Sequence, residues 1–232
     1  MCFSAGASFG ASVILSVAGV LSIRKVKTKS QIFFASIPFI FAVQQFTEGI
    51  VWLSLSDPAY LHWKTTSVYL FLFFAHVLWP VWVPVSVLLL EKKPGRKMGL
   101  FLLTLIGGFV SFFLFYFLNT YSPLAQIVSC HIQYRLIVPL SSVYFSGMFY
   151  FIPTVIPLFL SGVKRMWVFG IAIFMSYVIT ELFYVEFVIS VWCFFAATLS
   201  VIVLYTMDRI TQDNGKTAYK TIRTAGLKTE LF

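Results

Sequence analysis

Residues 32–55 read IFFASIPFIFAVQQFTEGIVWLSL, a stretch in which Glu48 is the single charged side chain. A helix of about 20 apolar residues crosses the hydrocarbon core of a bilayer, which is about 30 Å thick. Inside hydrocarbon, the N–H and C=O groups of the backbone must bond to each other, and a helix satisfies all of them within one segment. This stretch therefore predicts a membrane-spanning helix.

Six further stretches have similar length and apolar character, so the sequence predicts an all-α integral membrane protein with a bundle of seven transmembrane helices. The predicted spans are 4–23, 32–55, 67–90, 98–118, 140–162, 166–184 and 186–207. The composition agrees, because only 11% of the 232 residues are charged, against about 25% in soluble domains. We expect a transmembrane domain over residues 1–207 and a polar, basic tail over residues 208–232.

The basic residues predict the orientation of these spans. Of the 17 Lys and Arg residues, 15 fall in the loops after spans one, three and five or in the tail, and only Lys64 and Arg135 fall on the other side. Basic loops of membrane proteins remain in the cytoplasm. We therefore expect the N-terminus outside and the C-terminus in the cytoplasm. The net charge of +9 belongs to these loops, and no basic face with interleaved aromatic residues indicates nucleic-acid binding.

Two pairs of similar segments suggest an internal repeat. Phe41–Glu48 and Phe174–Glu181 both end in Thr-Glu near the predicted outer end of a span, and Phe-Phe-Ala occurs at 73–75 and at 194–196. Such pairs fit a 3+1+3 plan of parallel repeats, and parallel repeats occur in some transporters. In a chain with 27 Phe residues they also fit coincidence.

Polar residues inside the predicted spans are the first candidates for a functional site, because placing them in hydrocarbon is costly. Glu48 lies in the outer half of span two, and Gln44 and Gln45 precede it by four and three residues. This spacing places the three side chains on roughly one helical face. They predict either a polar cavity wall where Glu48 binds a proton or cation, or a hydrogen-bonded contact between helices.

Three more residues in the spans are candidates, and two of them have a structural alternative. His76 lies near the middle of span three and is followed by Pro80 and Pro84, and kinked helices at mid-membrane often mark binding sites. Glu181 and Cys193 lie in the outer halves of spans six and seven. The structural alternatives are a His76 that bonds to a neighbouring helix and a Glu181 that reaches water.

The longest predicted connection, residues 119–139, carries Cys130, His131 and Tyr134 among apolar residues. This mixture predicts a re-entrant or interfacial segment that packs over the outer end of the bundle.

Cys2 lies on the same predicted side as this connection, which leaves three alternatives for the outer cysteines. Cys2 and Cys130 form a disulfide, or Cys2, Glu48 and His131 bind a metal ion, or the thiols are unpaired. The sequence assigns no cofactor beyond this candidate metal set.

Taken together, the candidates predict a site that opens on the outer side and ends in an apolar inner half. The candidate binding residues are Gln44, Gln45, Glu48, His76, His131, Tyr134, Glu181 and Cys193. The sequence contains no Gly-rich phosphate loop, no His-Glu-x-x-His pair and no Gly-x-Ser-x-Gly elbow, which excludes the enzyme classes defined by those motifs.

Several motifs in combination resemble a known family. They are Met1-Cys2-Phe3-Ser4-Ala5, Gln44-Gln45-x-x-Glu48-Gly49-x-x-Trp52, Leu78-Trp79-Pro80, His131-x-Gln133-Tyr134 and Ser190-Val191-Trp192-Cys193. In these motifs the chain resembles a bacterial family of small membrane proteins of unknown function that begin Met-Cys-Phe-Ser-Ala. The resemblance covers most of residues 1–207. It implies a multi-pass protein of the bacterial inner (plasma) membrane and assigns no catalytic residue.

Three functions agree with these observations. The first is a small-solute or ion-coupled permease or ligand-binding protein, which the polar face of span two and the kinked span three favour. The second is a membrane-embedded, metal-assisted hydrolase that acts on lipid at the outer leaflet, with Cys2, Glu48 and His131 as metal ligands or as acid and base. The third is a membrane sensor or assembly partner. The expected partners are the lipid bilayer and a small solute or lipid that the sequence does not identify, and no nucleic acid.

Overall fold

A computed structural model describes residues 3–136 and 140–210, and for residues 140–148 it describes the helix but not the side chains. Within these residues, seven helical segments and one two-stranded sheet follow each other along the chain. They are α1 Ala5–Arg24, α2 Lys29–Ser56, α3 Pro58–Leu90, α4 Pro94–Thr120, β1 Leu124–Val128, β2 His131–Arg135, α5 Leu140–Leu160, α6 Met166–Phe183 and α7 Val185–Ile210.

The predicted seven-helix architecture is confirmed. Six of the helices are long and apolar enough to cross a membrane. The remaining one, α5, has 21 residues, and its part with described side chains, Phe149–Leu160, is a shorter apolar helix. The chain is therefore a multi-pass membrane protein. Its orientation in the membrane and the parallel repeat remain predictions, and the predicted tail lies almost entirely outside the described residues.

Three of the helices are built from several pieces. In α2, a 3-10 turn over Lys29–Gln31 and the short helix Ile32–Ala35 precede the main helix Ile37–Ser56. In α3, the pieces are 3-10 Pro58–Trp63, α Lys64–Leu72, π Phe73–Leu78 and α Trp79–Leu90. In α7, a 3-10 turn over Val185–Phe187 precedes Val188–Leu199 and a final helical stretch over 201–210.

The π-helical piece of α3 has an identifiable cause and two stabilising contacts. Pro80, two residues after its end, has no N–H, so the preceding turn loses one backbone donor. Two hydroxyl groups from other helices donate to carbonyls of this piece. Tyr150 Oη on α5 donates to Ala75 O over 2.5 Å, and Ser111 Oγ on α4 donates to Val77 O over 2.6 Å. Neighbouring helices therefore satisfy the backbone where α3 is irregular, as hydrocarbon requires.

Helix α4 packs directly against the backbone of α3 at Gly107. A Cβ atom at this position would lie 1.9 Å from the carbonyl oxygen of Pro80 and 3.3 Å from Cβ of Pro153. At the adjacent Gly108, a Cβ atom would meet nothing within 4 Å. Small residues at such crossings let backbones pack closely in membranes.

The two adjacent glycines provide a matched pair of variants. We expect Gly107→Ala to lower the free energy of unfolding by about 1–3 kcal/mol, the usual cost of an overpacked contact. Gly108→Ala should leave stability unchanged or raise it slightly, because alanine favours helices. Chemical unfolding in detergent micelles measures both variants. Equal stability of the two variants would contradict the close contact between α3 and α4.

Residues 124–135, predicted to belong to a re-entrant or interfacial segment, form a β-hairpin. Its strands are antiparallel and pair Leu124 with Arg135 and Val128 with His131. The two turn residues, Ser129 and Cys130, have φ values of 46° and 64°, as a tight two-residue hairpin turn requires. The hairpin packs over one end of the bundle, against α2 and α7. We call this the hairpin end.

Three contacts fasten the hairpin to the helices. The backbone N–H of Phe3 donates to Cys130 O over 3.1 Å, which holds the start of α1 against the turn. On the other side, Gln133 Nε2 donates to Glu186 Oε2 over 2.9 Å, and Arg135 forms a 4.0 Å ion pair with the same carboxylate. The side chains of β2 from His131 to Tyr134 are all buried.

At the opposite end of the bundle, Glu91 joins two loops. Its side chain is buried, and Oε1 accepts the backbone N–H groups of Lys92 and Lys93, each over 2.9 Å. Oε2 accepts the N–H of Gly162, after α5, over 2.6 Å. Burial alone would raise the pKa of Glu91, but these donors and the nearby Arg96 guanidinium outweigh it, so the pKa is lowered. The charged carboxylate therefore stabilises the folded state.

This contact predicts a pH-dependent effect of Glu91→Gln. At neutral pH we expect the variant to lose about 1–3 kcal/mol of stability, because the donors lose a charged acceptor. A lowered pKa stabilises the fold above the ordinary carboxyl pKa of about 4.3, and this stabilisation disappears as the pH falls through the folded-state pKa. The difference in melting temperature between wild type and variant should therefore shrink in acid. A difference that stays constant down to pH values below that range would refute the role of the charge.

Candidate functional site

Three polar side chains of α2 lie inside the bundle, towards the hairpin end. Gln44 and Gln45 are 0% exposed and Glu48 is 2% exposed. Ser190 and Cys193 of α7 and Tyr134 of β2 are also buried and lie around them. These six residues form what we call the polar cluster: Gln44, Gln45, Glu48, Tyr134, Ser190 and Cys193.

The carboxylate of Glu48 links α2 to α7. Ser190 Oγ donates to its Oε1 over 2.5 Å. Within the described residues no basic side chain forms an ion pair with Glu48; the ion pairs there join Lys25 to Asp208 and Arg135 to Glu186. A carboxylate this deeply buried is costly without compensating charge or donors.

The orientation of the Gln44 amide follows from its partner. Trp79 Nε1 lies 2.7 Å from Gln44 Oε1. Because an indole N–H can only donate, the atom that it meets must be the amide oxygen. Gln44 Nε2 is then a buried donor that faces the thiol of Cys193, a weak acceptor, without a hydrogen bond of good geometry among the described residues. The indole ring of Trp79 is held in turn by stacking on Phe41, with centroids 3.9 Å apart.

Gln45 is the least satisfied member of the polar cluster. Both its Oε1 and its Nε2 are buried. The amide lies against the carboxylate of Glu48, but neither atom makes a hydrogen bond of good geometry within the part of the chain that the structure describes. The great majority of buried side-chain polar atoms in proteins have a hydrogen-bond partner, and each exception calls for an explanation. Gln45 lies three residues from Glu48 on the same helical face.

The hairpin contributes Tyr134 to the polar cluster. Its ring stacks on Phe71 of α3, with centroids 4.8 Å apart and an interplanar angle of 14°. Its hydroxyl is buried without a partner among the described residues. Burial raises the pKa of Tyr134 well above its ordinary value, and the nearby Glu48 and Cys193 raise it further. The hydroxyl therefore keeps its proton and can donate a hydrogen bond.

His131 lies beside the cluster as an aromatic wall of the hairpin end. Its Nδ1 is 2.8 Å from Ser129 O. Since a carbonyl only accepts, Nδ1 carries the hydrogen, and the buried Nε2 is an acceptor in the neutral ring. Phe3, Tyr184 and Phe187 surround the ring at centroid distances of 4.8 to 5.2 Å. Nε2 has no partner among the described residues.

Two of the sequence candidates are not joined to the polar cluster. His76 is half-buried in the π-helical piece of α3, and within the described residues no hydrogen bond connects it to the cluster. Glu181 is half-buried near the end of α6, where the hydroxyl of Tyr177 lies within its reach. The hairpin also covers the cluster, so the opening predicted on the outer side is closed in this structure.

The candidate metal set and the disulfide involve Cys2, which lies outside the described residues. Among the described residues, no group of three His, Cys, Asp or Glu side chains could hold a metal ion. Cys130 is exposed at the hairpin turn, where its carbonyl accepts the N–H of Phe3. The disulfide between Cys2 and Cys130 remains a prediction.

Two members of the site were not among the sequence candidates. Ser190 bonds to Glu48, and Trp79 bonds to Gln44. Ser190 precedes Cys193 by three residues, so both occupy one face of α7. The sequence shows this spacing. It does not show that α7 contacts α2, because that contact depends on how the helices pack.

The comparisons with known proteins add one finding. A family model for a family of unknown function, DUF6629, matches residues 1–218. The chain belongs to DUF6629. This match confirms the resemblance to an uncharacterised family, and it spans all seven helices and the hairpin, so the polar cluster lies within the DUF6629 region. No curated protein and no solved structure matches the chain.

The bond between Ser190 and Glu48 can be tested with two buried serines. We expect Ser190→Ala to lower the free energy of unfolding by about 1–3 kcal/mol, because Glu48 loses its donor from α7. Ser86 is a matched control, since it is equally buried but donates to Val83 O of its own helix over 2.8 Å. Ser86→Ala should have a much smaller effect. Unfolding in detergent measures both, and equal losses would argue against the interhelical bond.

Proposed function

We propose that the protein is a small-solute or ion-coupled permease or ligand-binding protein, and that the polar cluster holds its ligand. The observation that carries this proposal is the amide of Gln45. Both of its polar atoms are buried and lack a hydrogen bond of good geometry among the described residues, although the amide lies against Glu48 on the same face. A bound ligand explains such atoms at a position where helix packing alone would favour an apolar residue.

The energetics favour a ligand in this position. An unpaired buried donor or acceptor costs about 1–3 kcal/mol. Four buried atoms of the cluster lack a hydrogen bond of good geometry among the described residues. They are Gln44 Nε2, which faces the thiol of Cys193, Gln45 Nε2, which faces Glu48, Gln45 Oε1 and the hydroxyl of Tyr134. A small polar ligand that bonds to several of them recovers part of this free energy, which is a source of binding affinity.

The charge of the site indicates the class of ligand. Glu48 is a buried carboxylate that meets the hydroxyl of Ser190 and the amide of Gln45, and it has no ion pair among the described residues. A proton or a cation offsets such a charge. We therefore propose that the ligand is a proton, a monovalent cation or a small solute with a cationic group, with the amide of Gln45 as a further donor and acceptor.

The cluster is closed on both sides, which is the arrangement of an occluded binding site. The hairpin covers it at one end, with Tyr134 in the lid itself. Towards the other end the bundle interior is apolar, around Phe41, Val87 and Leu158. Release of a ligand then requires the hairpin or the helices to move. The π-helical piece and Pro84 of α3 are sites where a helix can bend.

The predicted orientation places this site towards the outside of a bacterial inner membrane. The hairpin end carries Lys64 and Arg135, whereas the opposite end carries the basic loops that follow α1, α3 and α5. By the positive-inside rule, the hairpin faces outward. We propose that ligand enters from this side.

Flux through proteoliposomes tests the proposal. Purified full-length protein is reconstituted, and uptake of protons, Na⁺, K⁺ and methylammonium is followed with indicator dyes or radiolabel. We expect at least one of these probes to cross faster than in empty liposomes, and Glu48→Gln to slow it by about tenfold or more, because the loss of about 1.4 kcal/mol of interaction changes affinity tenfold.

Asp57→Asn is the control for this experiment. Asp57 is an exposed carboxylate between α2 and α3, outside the cluster, and it accepts the N–H of Ala59, which an asparagine side chain can also do. It should retain at least half of the wild-type rate. Rates equal to empty liposomes for all four probes, or an unchanged rate in folded Glu48→Gln, would overturn the proposal.

A further inference from the structure

Three side chains meet at the end of the bundle opposite the hairpin. Arg165 directly precedes α6, and Tyr205 and Arg209 lie one turn apart near the end of α7. Arg165 Nη1 donates to Tyr205 Oη over 2.7 Å. Arg209 donates to the same oxygen through Nε over 3.2 Å and through Nη2 over 3.0 Å, and its guanidinium lies 5.1 Å from the centroid of the tyrosine ring. We call these three residues the basic triad.

The basic triad has no acidic partner within the described residues. At this end of the bundle those residues include two carboxylates, Glu91 and Asp208. Glu91 accepts backbone N–H groups of two loops, and Asp208 forms a 2.6 Å ion pair with Lys25. Two guanidinium groups that bond to one oxygen atom lie side by side, and their like charges repel each other. An anion bound to both would offset this repulsion.

The basic triad also has hydrogen-bond donors for an anion. Each guanidinium carries five N–H groups in a planar fork. One of these on Arg165 and two on Arg209 bond to the phenol oxygen. The hydroxyl of Tyr205 accepts these bonds and keeps its own hydrogen as a further donor. The phenol oxygen thereby positions two guanidinium forks, and such forks match the oxygen atoms of a phosphate group.

The backbone at Arg165 is unusual for a residue with a side chain. Its φ of 65° lies in the left-handed region, which costs free energy that glycine would avoid. Hydrogen bonds on both sides hold this turn, from Met166 N–H to Val163 O over 3.2 Å and from Val168 N–H to Arg165 O over 3.0 Å. Strained positions of this kind cluster at functional sites. An arginine at this position therefore supports a role for its guanidinium group.

The apolar side chains beside the basic triad indicate what surrounds it. Trp167 and Val168 of α6 are exposed. Val201 is also exposed, and it lies four residues before Tyr205 on the same face of α7. In a membrane protein such apolar faces contact lipid chains, and Trp and Tyr are enriched at the level of the headgroups. The basic triad therefore lies where the lipid-facing surface of α6 and α7 meets the headgroup layer.

We propose that the basic triad binds the phosphate of an anionic phospholipid, whose acyl chains lie along Trp167 and Val201. A lipid suits this site better than a free anion, because these apolar side chains offer a contact that inorganic phosphate cannot use. The predicted orientation places the site in the cytoplasmic leaflet, where anionic lipids attract basic residues. The inference does not rest on the proposed permease function, because the basic triad and the polar cluster lie towards opposite ends of the bundle.

Native mass spectrometry of the full-length protein, released from detergent, tests this site. The protein is titrated with phosphatidylglycerol, which is anionic, and with phosphatidylcholine of the same acyl chains, which has no net charge. We expect the first phosphatidylglycerol to bind about tenfold more tightly, because charge-assisted hydrogen bonds to arginine are strong. An excess of glycerol 3-phosphate, which has the phosphate but no acyl chains, should not displace it.

Three variants test the members of the basic triad. Arg165→Gln and Arg209→Gln should each weaken the binding of phosphatidylglycerol about tenfold and leave that of phosphatidylcholine unchanged. Tyr205→Phe keeps the net charge and the ring but removes the oxygen that positions both guanidinium groups. It should weaken the binding of phosphatidylglycerol about three- to tenfold. Melting temperatures in detergent without added lipid show that each variant is folded.

Two variants on α4 are matched controls. Lys97→Gln removes one exposed positive charge at the same end of the bundle, and it should change the affinity less than about twofold, because an isolated exposed charge contributes little. Tyr116→Phe removes an exposed phenol hydroxyl outside the basic triad, and it should leave the affinity unchanged.

Four outcomes would overturn this inference. Equal affinity for the two phospholipids would mean that the phosphate charge is not recognised. Displacement by glycerol 3-phosphate would mean that the site binds a soluble anion. Equal effects of Lys97→Gln and Arg209→Gln would mean that binding follows net charge alone. Undiminished affinity in folded Tyr205→Phe would remove the role of the phenol oxygen, and this conservative variant decides even if an arginine variant fails to fold.

Discussion

The structure depends on one constraint: inside a bilayer, polar groups have no water and must find partners within the protein or its ligands. The helices meet this constraint along their regular turns. Where α3 departs from α-helical geometry, Tyr150 and Ser111 supply hydroxyl donors to its carbonyls. Where α2 carries the carboxylate of Glu48, Ser190 of α7 supplies a hydroxyl donor. Several interhelical contacts of this protein supply such hydrogen-bond partners. Buried polar groups that lack one of good geometry among the described residues, such as Gln45, are therefore informative.

The buried polar atoms that lack a hydrogen-bond partner of good geometry are concentrated in one region. The buried atoms that lack a hydrogen bond of good geometry among the described residues belong mainly to Gln44, Gln45, Tyr134, His131 and Trp192, which lie between the hairpin and the apolar interior of the bundle. Polar atoms thus lie above and hydrocarbon walls below, with Gln44 and Cys193 between them. This gradient gives the interior an amphiphilic character. A cation or small polar solute suits the upper part.

The sequence predicted the part of this architecture that depends on local composition. The spans follow from hydropathy alone, so α2 was predicted within a few residues of its ends. The hairpin was not, because Ser129 and Cys130 occupy its turn instead of the Asn-Gly or Asp-Gly that usually signals one. Their positions inside a predicted span identified Gln44, Gln45 and Glu48 as candidates. The sequence does not show which helices pack against each other. The roles of Ser190 and Trp79 therefore required the packed structure.

A density map of the purified protein, at a resolution that shows bound ions and small molecules, tests the central claim most directly. The account predicts density that does not belong to the chain within hydrogen-bonding distance of Gln45 and the carboxylate of Glu48. A map in which both amide atoms of Gln45 bond to other groups of the protein, with no further density beside Glu48, would show that the cluster only joins the helices and would contradict the account.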